Sequence, residues 1–371
     1  MGIWWRVAAA AASLLVSGCA YDSFQARVAS YDYAAEQARD EMILTNIVRA
    51  SKSEPLSFMS VSGVHGSGTA AGSVGLPAIV FGPLQTAAQH QFVFGGGSGA
   101  GSPNALNTSA STSIDVSIPE TKDFYQGLLT PVSPRTVAFF TAQGIPREIL
   151  FYLFTDRLIE TKRGVRREIH NDPLASTFED FQHYVDLAMQ YGLSSETIER
   201  PGPPPKKGEK REERDESRLC FDPLYKAPNV SLKGLQPICG SNAPFHGKRN
   251  SSTFISRTGE PVGLEIKPRS TFEIFNYLGR LVASGEAGVI HLSNLEDNAT
   301  GAVPDDILFR VLPAVGVEPC FVTIVYAGTI YCVPSGTAPN TTRILGLLAQ
   351  LLALNTSITD LPATPSVRIE P

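Results

Sequence analysis

The sequence lacks the features that would identify an activity. It contains no Gly-x-Ser-x-Gly nucleophile elbow and no phosphate-binding loop. Its six histidines are scattered, and no pair has the spacing of a zinc motif. Lys and Arg total 31 against 36 Asp and Glu, so there is no basic excess of the kind that nucleic-acid binding requires. We therefore predict no catalytic, metal-binding or cofactor-binding residues, no nucleic-acid partner and no enzymatic activity.

The sequence also lacks an apolar run of the roughly 20 residues that a membrane-spanning helix needs. The apolar stretch from Val7 to Val16 is shorter, and it follows Arg6, the only charged side chain before Cys19. A short positive region, a brief apolar core and small residues at its end are typical of a secretory signal peptide. We therefore expect residues 1–18 to be a signal peptide.

The end of this segment, "VSGC", resembles the lipobox of bacterial lipoproteins, with Val16, Ser17 and Gly18 before Cys19. The resemblance implies a diacylglycerol on the Cys19 thiol, cleavage before Cys19, and acylation (palmitate) of its new amino group. Because Ala20 follows rather than Asp, it implies an outer-membrane lipoprotein, anchored by lipid and facing the periplasm. An ordinary signal peptide or a buried N-terminal helix is the alternative.

Cysteine is scarce, and the count is informative once Cys19 is set aside. Four cysteines remain, an even number that favours disulfides in an oxidising periplasm. Cys220 and Cys239 would close a local loop, and we expect them to pair.

Cys320 and Cys332 form a doubtful pair on geometric grounds. "CFVTIVYAGTIYCVP" predicts a hairpin whose two-residue turn at Ala327-Gly328 places Thr323 opposite Cys332. Cys320 would then lie three residues further along and on the opposite face, because side chains alternate along a strand. A disulfide would need a different register or a wider loop; a reduced pair or another cross-link is the alternative.

Periodicity predicts an α+β protein with a mainly helical N-terminal module, a Gly/Ser-rich β-arm, and a small mixed C-terminal module with an antiparallel hairpin. After the signal peptide we predict the following segments: a tether and amphipathic helix (19–56), the Gly/Ser-rich arm (57–120), a helical module (121–198), a Pro-rich charged linker (199–218) and an α+β module (219–371).

The Gly/Ser-rich arm, residues 57–120, carries few charges and alternates with period two in "FMSVSGV", "QFVFG" and "STSIDVSI". A flexible surface arm, a β-arm that pairs with neighbouring subunits, and disorder are its three interpretations.

Two helical signals and one linker signal are specific enough to test. Ser133 or Thr130 can cap a helix that has Pro134 at a tolerated first-turn position, and Ser270 with Glu273 forms a predicted capping box. "PREILFYLFTDRLIE" is apolar on much of its circumference and predicts one buried helix. The linker, almost all charge from Lys206 to Arg218, should be a solvated loop or disordered.

Three constellations remain as weak site candidates. His183 has Asp180 and Asp186 three residues to either side on a predicted helix, which suits helical salt bridging better than a metal. Tyr277, Phe275 and Tyr326 are aromatic candidates for a binding pocket, although core packing explains them better. The third candidate is "GSGTAAG" (66–72), which superficially resembles a dinucleotide fingerprint but leads into no helix.

The chain resembles a family of proteobacterial outer-membrane envelope lipoproteins that has no assigned activity. The blocks that carry the resemblance are "EMILTNIVRASKSEPLSF", "FYQGLLTPVSPRTVAFFTAQGIPREILFYLF", "PRSTFEIFNYLGRLV", "FVTIVYAGTIYCVP" and "LGLLAQLLALNTS". The resemblance implies a lipoprotein with a helical half and an α+β half, and it supplies no substrate or catalytic residue.

These observations rank three functions. The first is an outer-membrane-anchored structural or interaction protein, a subunit of an envelope assembly, with a homo-oligomer or envelope proteins as partners. The second is a periplasmic binding module for a glycan, lipid or peptide, which requires a concave apolar pocket between the two halves. The third is an envelope hydrolase whose residues converge only in the fold.

Overall fold

The protein is an α+β protein, as the sequence predicts. A computed structural model describes residue 33 and residues 35–58, 60–67, 111–117, 122–201, 213–241, 251–255, 260–293, 307–313, 319–355 and 369–370. The predicted signal peptide (residues 1–18) and Cys19 lie outside these residues, as does most of the Gly/Ser-rich arm. The chain divides into two compact units: residues 1–42, 58–121 and 357–371 form the first, and residues 43–57 and 122–356 form the second.

The first unit contains a three-stranded sheet in the order β12-β1-β2. Strand β1 (Ser60–Ser67) pairs antiparallel with β2 (Ser111–Ser117), with a register shift between Val61 and Gly63. Strand β12 (Ile369–Glu370) lies parallel to β1 at the edge. Two strands of the Gly/Ser-rich arm are thus confirmed. The segment "QFVFG" lies outside the described residues, and pairing with other subunits stays a prediction.

The second unit holds most of the helices. Helix α1 covers residues 35–51, and its last part, from residue 43, belongs to this unit. The others are α2 (Lys122–Leu129), α3 (Pro134–Ala142), α4 (Arg147–Phe154), α5 (Phe178–Gln190), α6 (Thr271–Ser284) and α7 (Pro339–Asn355). Both predicted caps are confirmed: Ser133 accepts from the Thr136 amide, and Ser270 and Glu273 form the complete capping box.

Three antiparallel sheets complete the second unit. The largest has the order β4-β3-β8-β7 and contains β3 (Thr155–Lys162), β4 (Val165–His170), β7 (Ser251–Ile255) and β8 (Pro261–Pro268). The second is the pair β5 (Leu193–Pro201) and β6 (Glu213–Phe221). The third has the order β10-β11-β9, with β9 (Leu312–Pro313), β10 (Cys320–Tyr326) and β11 (Thr329–Pro334). Since β3 pairs with β8, segments 121–198 and 219–371 share one sheet.

The prediction of one long helix over "PREILFYLFTDRLIE" was wrong. Helix α4 ends at Phe154, and β3 begins at the next residue and pairs on both sides, with β4 and with β8. A run that is apolar on most of its circumference suits a buried helix and a central strand equally, so periodicity alone does not locate the change. The local signal was the two-residue turn Arg163-Gly164, where both residues have positive φ, 51° and 82°.

The prediction that residues 199–218 form a solvated linker was also wrong at both ends. Residues 199–201 continue β5 and residues 213–218 belong to β6, and the two strands pair in register from Leu193–Phe221 to Pro201–Glu213. Charge composition indicated that this segment buries little, but a two-stranded ladder needs only backbone partners. The ladder begins at buried positions, since Leu193 and Phe221 are both in the core, and it extends outward into the charged stretch.

The core of the second unit is rich in aromatic and aliphatic side chains. Five phenylalanines are completely buried: Phe140, Phe181, Phe221, Phe254 and Phe275. Each such burial contributes about 1.5–3 kcal/mol relative to exposure. Helix α1 adds Ile43, Leu44, Ile47 and Val48, which share one face and are equally buried. Because these four residues lie on one buried face, α1 is the amphipathic helix that was predicted within residues 19–56.

Candidate functional site

The described part of the chain contains an apolar cleft between the helical segment and the α+β segment. It encloses a cavity of about 60 Å³. Its lining is mainly apolar and comes from α3, α4, α5, β5, β6 and β8: Val132, Pro134, Val137, Leu150, Phe151, Phe154, Met189, Leu193, Leu219, Ile266 and Pro268. The polar side chains at its wall are Thr141, Arg147, Thr155 and Ser194. We call this site the apolar cleft.

Arg147 gives the apolar cleft its one charged group. It is the first residue of α4 and is only 7% exposed. Its guanidinium donates to the Leu193 carbonyl at 3.2 Å and to the Tyr225 carbonyl at 3.3 Å, and it lies 4.6 Å from the centre of the Tyr225 ring. These contacts fix a cation beside an apolar wall, an arrangement that suits a small apolar group with an anionic end. Sequence analysis missed Arg147, since its partners are far away in sequence.

A second buried arginine, Arg269, holds the end of helix α4. Its guanidinium donates to the carbonyls of Tyr152 at 2.8 Å, Leu153 at 3.3 Å and Asn171 at 2.9 Å. Its backbone amide donates to the Phe154 carbonyl at 2.7 Å. The last carbonyls of a helix have no partner within the helix, and a cation there also favours the helix dipole. Arg269 therefore terminates α4 and enables the change from helix to strand.

Asn171 and Tyr277 complete this polar cluster. The Asn171 amide donates to the carbonyls of Tyr152 and Thr155, both at 2.7 Å, and its oxygen accepts from the Tyr277 hydroxyl at 3.1 Å. The Arg269 guanidinium carbon lies 3.7 Å from the centre of the Tyr277 ring, and Asp156 lies 3.9 Å from Arg269 Nε. Burial lowers the pKa of Arg269 to about 10, so the guanidinium stays charged at neutral pH. The cluster is buried, and apart from Arg269 Nε its polar side-chain atoms make the hydrogen bonds given above, which indicates a structural role.

Three predicted pocket aromatics occupy other places. Tyr277 and Phe275 are completely buried in α6, so both are core residues, as core packing predicted. Tyr326 is part-buried at the end of β10, and its hydroxyl donates to the Glu54 carboxylate. None of the three lines the apolar cleft.

Buried tyrosines should make the folded protein sensitive to alkali. Burial raises the pKa of Tyr277 to about 12, and burial also raises the pKa values of Tyr152 and Tyr184. A tyrosine in the unfolded chain has a pKa of about 10, so the folded chain holds its protons to higher pH. For Tyr277 this contribution to stability is complete below pH 10 and is lost as pH rises from about 10 through about 12.

Urea unfolding at pH values from about 8 to about 11.5 tests this expectation, since the stability should fall over the upper part of that range. Tyr277→Phe lacks one ionising group and should show a shallower fall than wild type. The exposed residue Tyr125 supplies the control, and Tyr125→Phe should follow the wild-type profile. Equal slopes for wild type and Tyr277→Phe would contradict the assignment of the fall to Tyr277.

In the His183 cluster, Asp180 accepts from the Arg167 guanidinium at 2.9 Å. Burial raises the pKa of the Asp186 carboxyl, and the nearby His183 partly opposes this rise. Within the described ranges, the group with metal-ligand spacing is Glu196 with Cys220 and Cys239. Those two sulfur atoms are bonded to each other, so the group is a disulfide beside a carboxylate.

The disulfide Cys220–Cys239 is present, as predicted, with Cα atoms 5.0 Å apart. Glu196 lies on the neighbouring strand and accepts from the Arg218 guanidinium at 2.7 Å and from the Gly240 amide at 2.7 Å. The two hydrogen bonds of Glu196 hold the loop that follows β6 against β5.

The doubt about Cys320–Cys332 was wrong: the two form a disulfide with Cα atoms 5.6 Å apart. The predicted register is confirmed, because Tyr326 pairs with Thr329 and Thr323 pairs with Cys332. A bulge between Cys320 and Val322 then inserts one extra residue, so Cys320 lies opposite Pro334 instead of Ser335. One extra residue reverses the alternation, and Cys320 points to the same face as Cys332.

Cys19, the predicted lipid attachment, lies outside the described residues, so its modification stays a prediction. No helix in the described ranges is long and apolar enough to cross a bilayer. Comparisons with protein families, with curated proteins and with solved structures find no match for this chain. The resemblance to envelope lipoproteins therefore also stays a prediction, based on the sequence blocks alone.

Proposed function

We propose that this protein is a lipoprotein of the bacterial outer membrane, anchored through Cys19, with a structural or protein-interaction role in an envelope assembly. The compartment is supported by the two disulfides, Cys220–Cys239 and Cys320–Cys332, since such bonds persist in oxidising environments. The observation that carries the interaction role is the outer edge of strand β10, which is mainly apolar, uncharged, and paired with no strand among the described residues. Such an edge offers a ready template for pairing with another chain.

Gentle detergent extraction followed by mass spectrometry tests the anchor and the role together. The mature chain is expected to begin at Cys19 and to carry a diacylglycerol and an amide-linked acyl chain. Cys19→Ser should abolish both the acyl mass and the membrane association, whereas Cys220→Ser should leave them intact. Cross-linking in whole cells should trap the protein with itself or with another envelope protein. An unmodified N-terminus or a partnerless chain would contradict the proposal.

A second candidate function, a periplasmic binding module, is favoured by the apolar cleft. It lies where that hypothesis requires a pocket, between segments 121–198 and 219–371, and Arg147 supplies one fixed cation. Its volume of about 60 Å³ is well below the range of roughly 300–1,000 Å³ for drug-sized ligands. The cleft as it stands suits only the end of a small amphiphile, such as a short fatty acid.

Calorimetric titration with octanoate tests this candidate. Val137 faces the apolar cleft, so Val137→Phe should fill the cavity and abolish any heat of binding. The matched control is Val165→Phe at an exposed position on β4, which should bind as wild type does. An absence of binding by the wild-type protein, or equal binding by both variants, would remove this function.

A further inference from the structure

Strand β10 forms one edge of its sheet, because β11 lies between β10 and β9. The hairpin turn at Ala327-Gly328 has φ values of 48° and 80°, and Tyr326 pairs with Thr329 directly beside it. In an antiparallel ladder of this kind alternate residues bond across to the partner strand. Tyr326 and Ile324 therefore bond to β11, whereas Val325 and Thr323 direct their amides and carbonyls outward. Among the described residues no strand pairs with that outer side.

In the part of the chain that the structure describes, this edge carries none of the usual protection against pairing. All seven residues from Cys320 to Tyr326 are uncharged, and Phe321 and Val325 are 43% and 58% exposed. Native proteins normally place charges, prolines or covering loops on such edges. Strand β4, an edge of the largest sheet, shows the contrast, since it carries the exposed charges Arg166, Arg167 and Glu168.

The edge is also held rigidly in place. Val322 and Ile324 point into the core and are only 4% and 8% exposed, which anchors the opposite face of the strand. The disulfide Cys320–Cys332 fixes the beginning of the strand, and the tight turn fixes its end. A preorganised strand loses little conformational freedom when it pairs, so this edge is suited to association.

We propose that the outer edge of β10 pairs antiparallel with the same edge of a second copy of this chain. Centred on Thr323, such pairing brings the two Thr323 Cα atoms to about 5.5 Å and sets Phe321 opposite Val325 of the second copy. The strand is therefore its own complement, because apolar side chains face apolar side chains. With no charged residue on either edge, two identical edges meet without like-charge repulsion.

The pairing would extend each three-stranded sheet into a continuous six-stranded sheet with a two-fold axis. This inference rests on the proposed interaction role, and it names the partner and the surface. Anchoring at Cys19 would add to the association, since two chains confined to one membrane meet at a high effective concentration.

Sedimentation equilibrium of the full mature chain in detergent tests the interface. Wild type should associate reversibly to a dimer. Thr323→Lys and Thr323→Glu each place like charges opposite one another and should raise the dissociation constant about tenfold or more. An equimolar mixture of the two variants should recover dimerisation, which also shows that both are folded. The matched control is Val165→Lys on the edge strand β4, which should dimerise as wild type does.

The possible results distinguish failure of the β10 interface from failure of the proposed interaction role. A wild-type chain that stays monomeric, or a Thr323→Lys variant that dimerises as strongly as wild type, overturns the β10 interface. If a monomeric wild-type chain is still cross-linked to a different envelope protein in cells, the interaction role stands and only this interface fails. If it is monomeric and also partnerless in cells, both proposals fail.

Discussion

Replacement of Arg269 by methionine is expected to lower the free energy of unfolding by about 2–5 kcal/mol, because buried carbonyls lose their donor. The Arg269 side chain is 1% exposed and donates hydrogen bonds to three backbone carbonyls, two of which belong to the end of helix α4. Methionine fills a similar volume but donates nothing. The Leu153 and Asn171 carbonyls would then be buried without this donor. Asp156 would keep its ion pair with Arg157 at 2.7 Å.

Urea unfolding followed by circular dichroism measures the effect directly. Arg269→Lys should fall between wild type and Arg269→Met, because a single ammonium keeps the charge but does not span three carbonyls. The control is Arg166→Met, where the arginine side chain is 63% exposed and lies 3.8 Å from Glu265. An exposed pair of this kind contributes about 1 kcal/mol or less. If Arg269→Met unfolds at the same urea concentration as Arg166→Met, Arg269 does not hold the end of α4.

The contacts of Arg269 also show where sequence reasoning stops. The bond to the Tyr152 carbonyl joins residues 117 positions apart, and no local pattern reports it. In "KPRSTFE" the capping box of Ser270 and Glu273 was predicted and is confirmed, since it depends only on neighbours. From the sequence alone, Arg269, one residue earlier, would be interpreted as a solvent-exposed charge. The same limit explains the single long helix predicted over α4 and β3, because the break depends on Arg269 and Asn171.

In the hairpin β10–β11, by contrast, local sequence signals predicted the turn and the strand register. The turn at Ala327-Gly328 and the pairing of Thr323 with Cys332 follow from turn chemistry and strand alternation, and both are confirmed. The disulfide was doubted because alternation was assumed to continue to Cys320. A bulge has no sequence signature in "CFVTIVY", so the reversal of side-chain direction was not predictable there. Two cysteines on adjacent strands, with a short offset, were the available indication of a bulge.

For the candidate sites, the binding-module hypothesis required an apolar pocket, but the sequence identified neither its lining residues nor its cation, and Tyr277, Phe275 and Tyr326 lie elsewhere. A pocket between the helical and α+β segments was expected, and the apolar cleft lies there. Arg147 stands next to Glu148 at the start of an apolar helix, where charged residues are usually solvated. Both are buried in the fold, and Glu148 accepts from the Ser293 amide and hydroxyl at 2.8 and 2.9 Å. Ser293 is distant from Glu148 in the sequence, and hydrophobic periodicity does not predict such contacts.

Helices α1 and α6 approach each other at Gly279, and this contact makes a second strong prediction. A Cβ atom added at Gly279 would lie 2.5 Å from the Ala50 Cβ and 2.7 Å from the Ser51 amide nitrogen. Two of the closest atoms belong to the α1 backbone, so rotation of a side chain cannot relieve the clash. Gly279→Ala should therefore destabilise the protein by about 1–3 kcal/mol, the usual cost of overpacking a well-filled core.

Gly346→Ala supplies the matched control for Gly279→Ala. Gly346 lies inside helix α7, and a Cβ added there meets no atom within 4 Å. Alanine is favoured over glycine in a helix by about 1 kcal/mol, so Gly346→Ala should raise stability by up to that amount. The same substitution thus has opposite signs at the two positions, and thermal unfolding of both variants measures the difference. If both variants were stabilised, helices α1 and α6 would not be in close contact at Gly279.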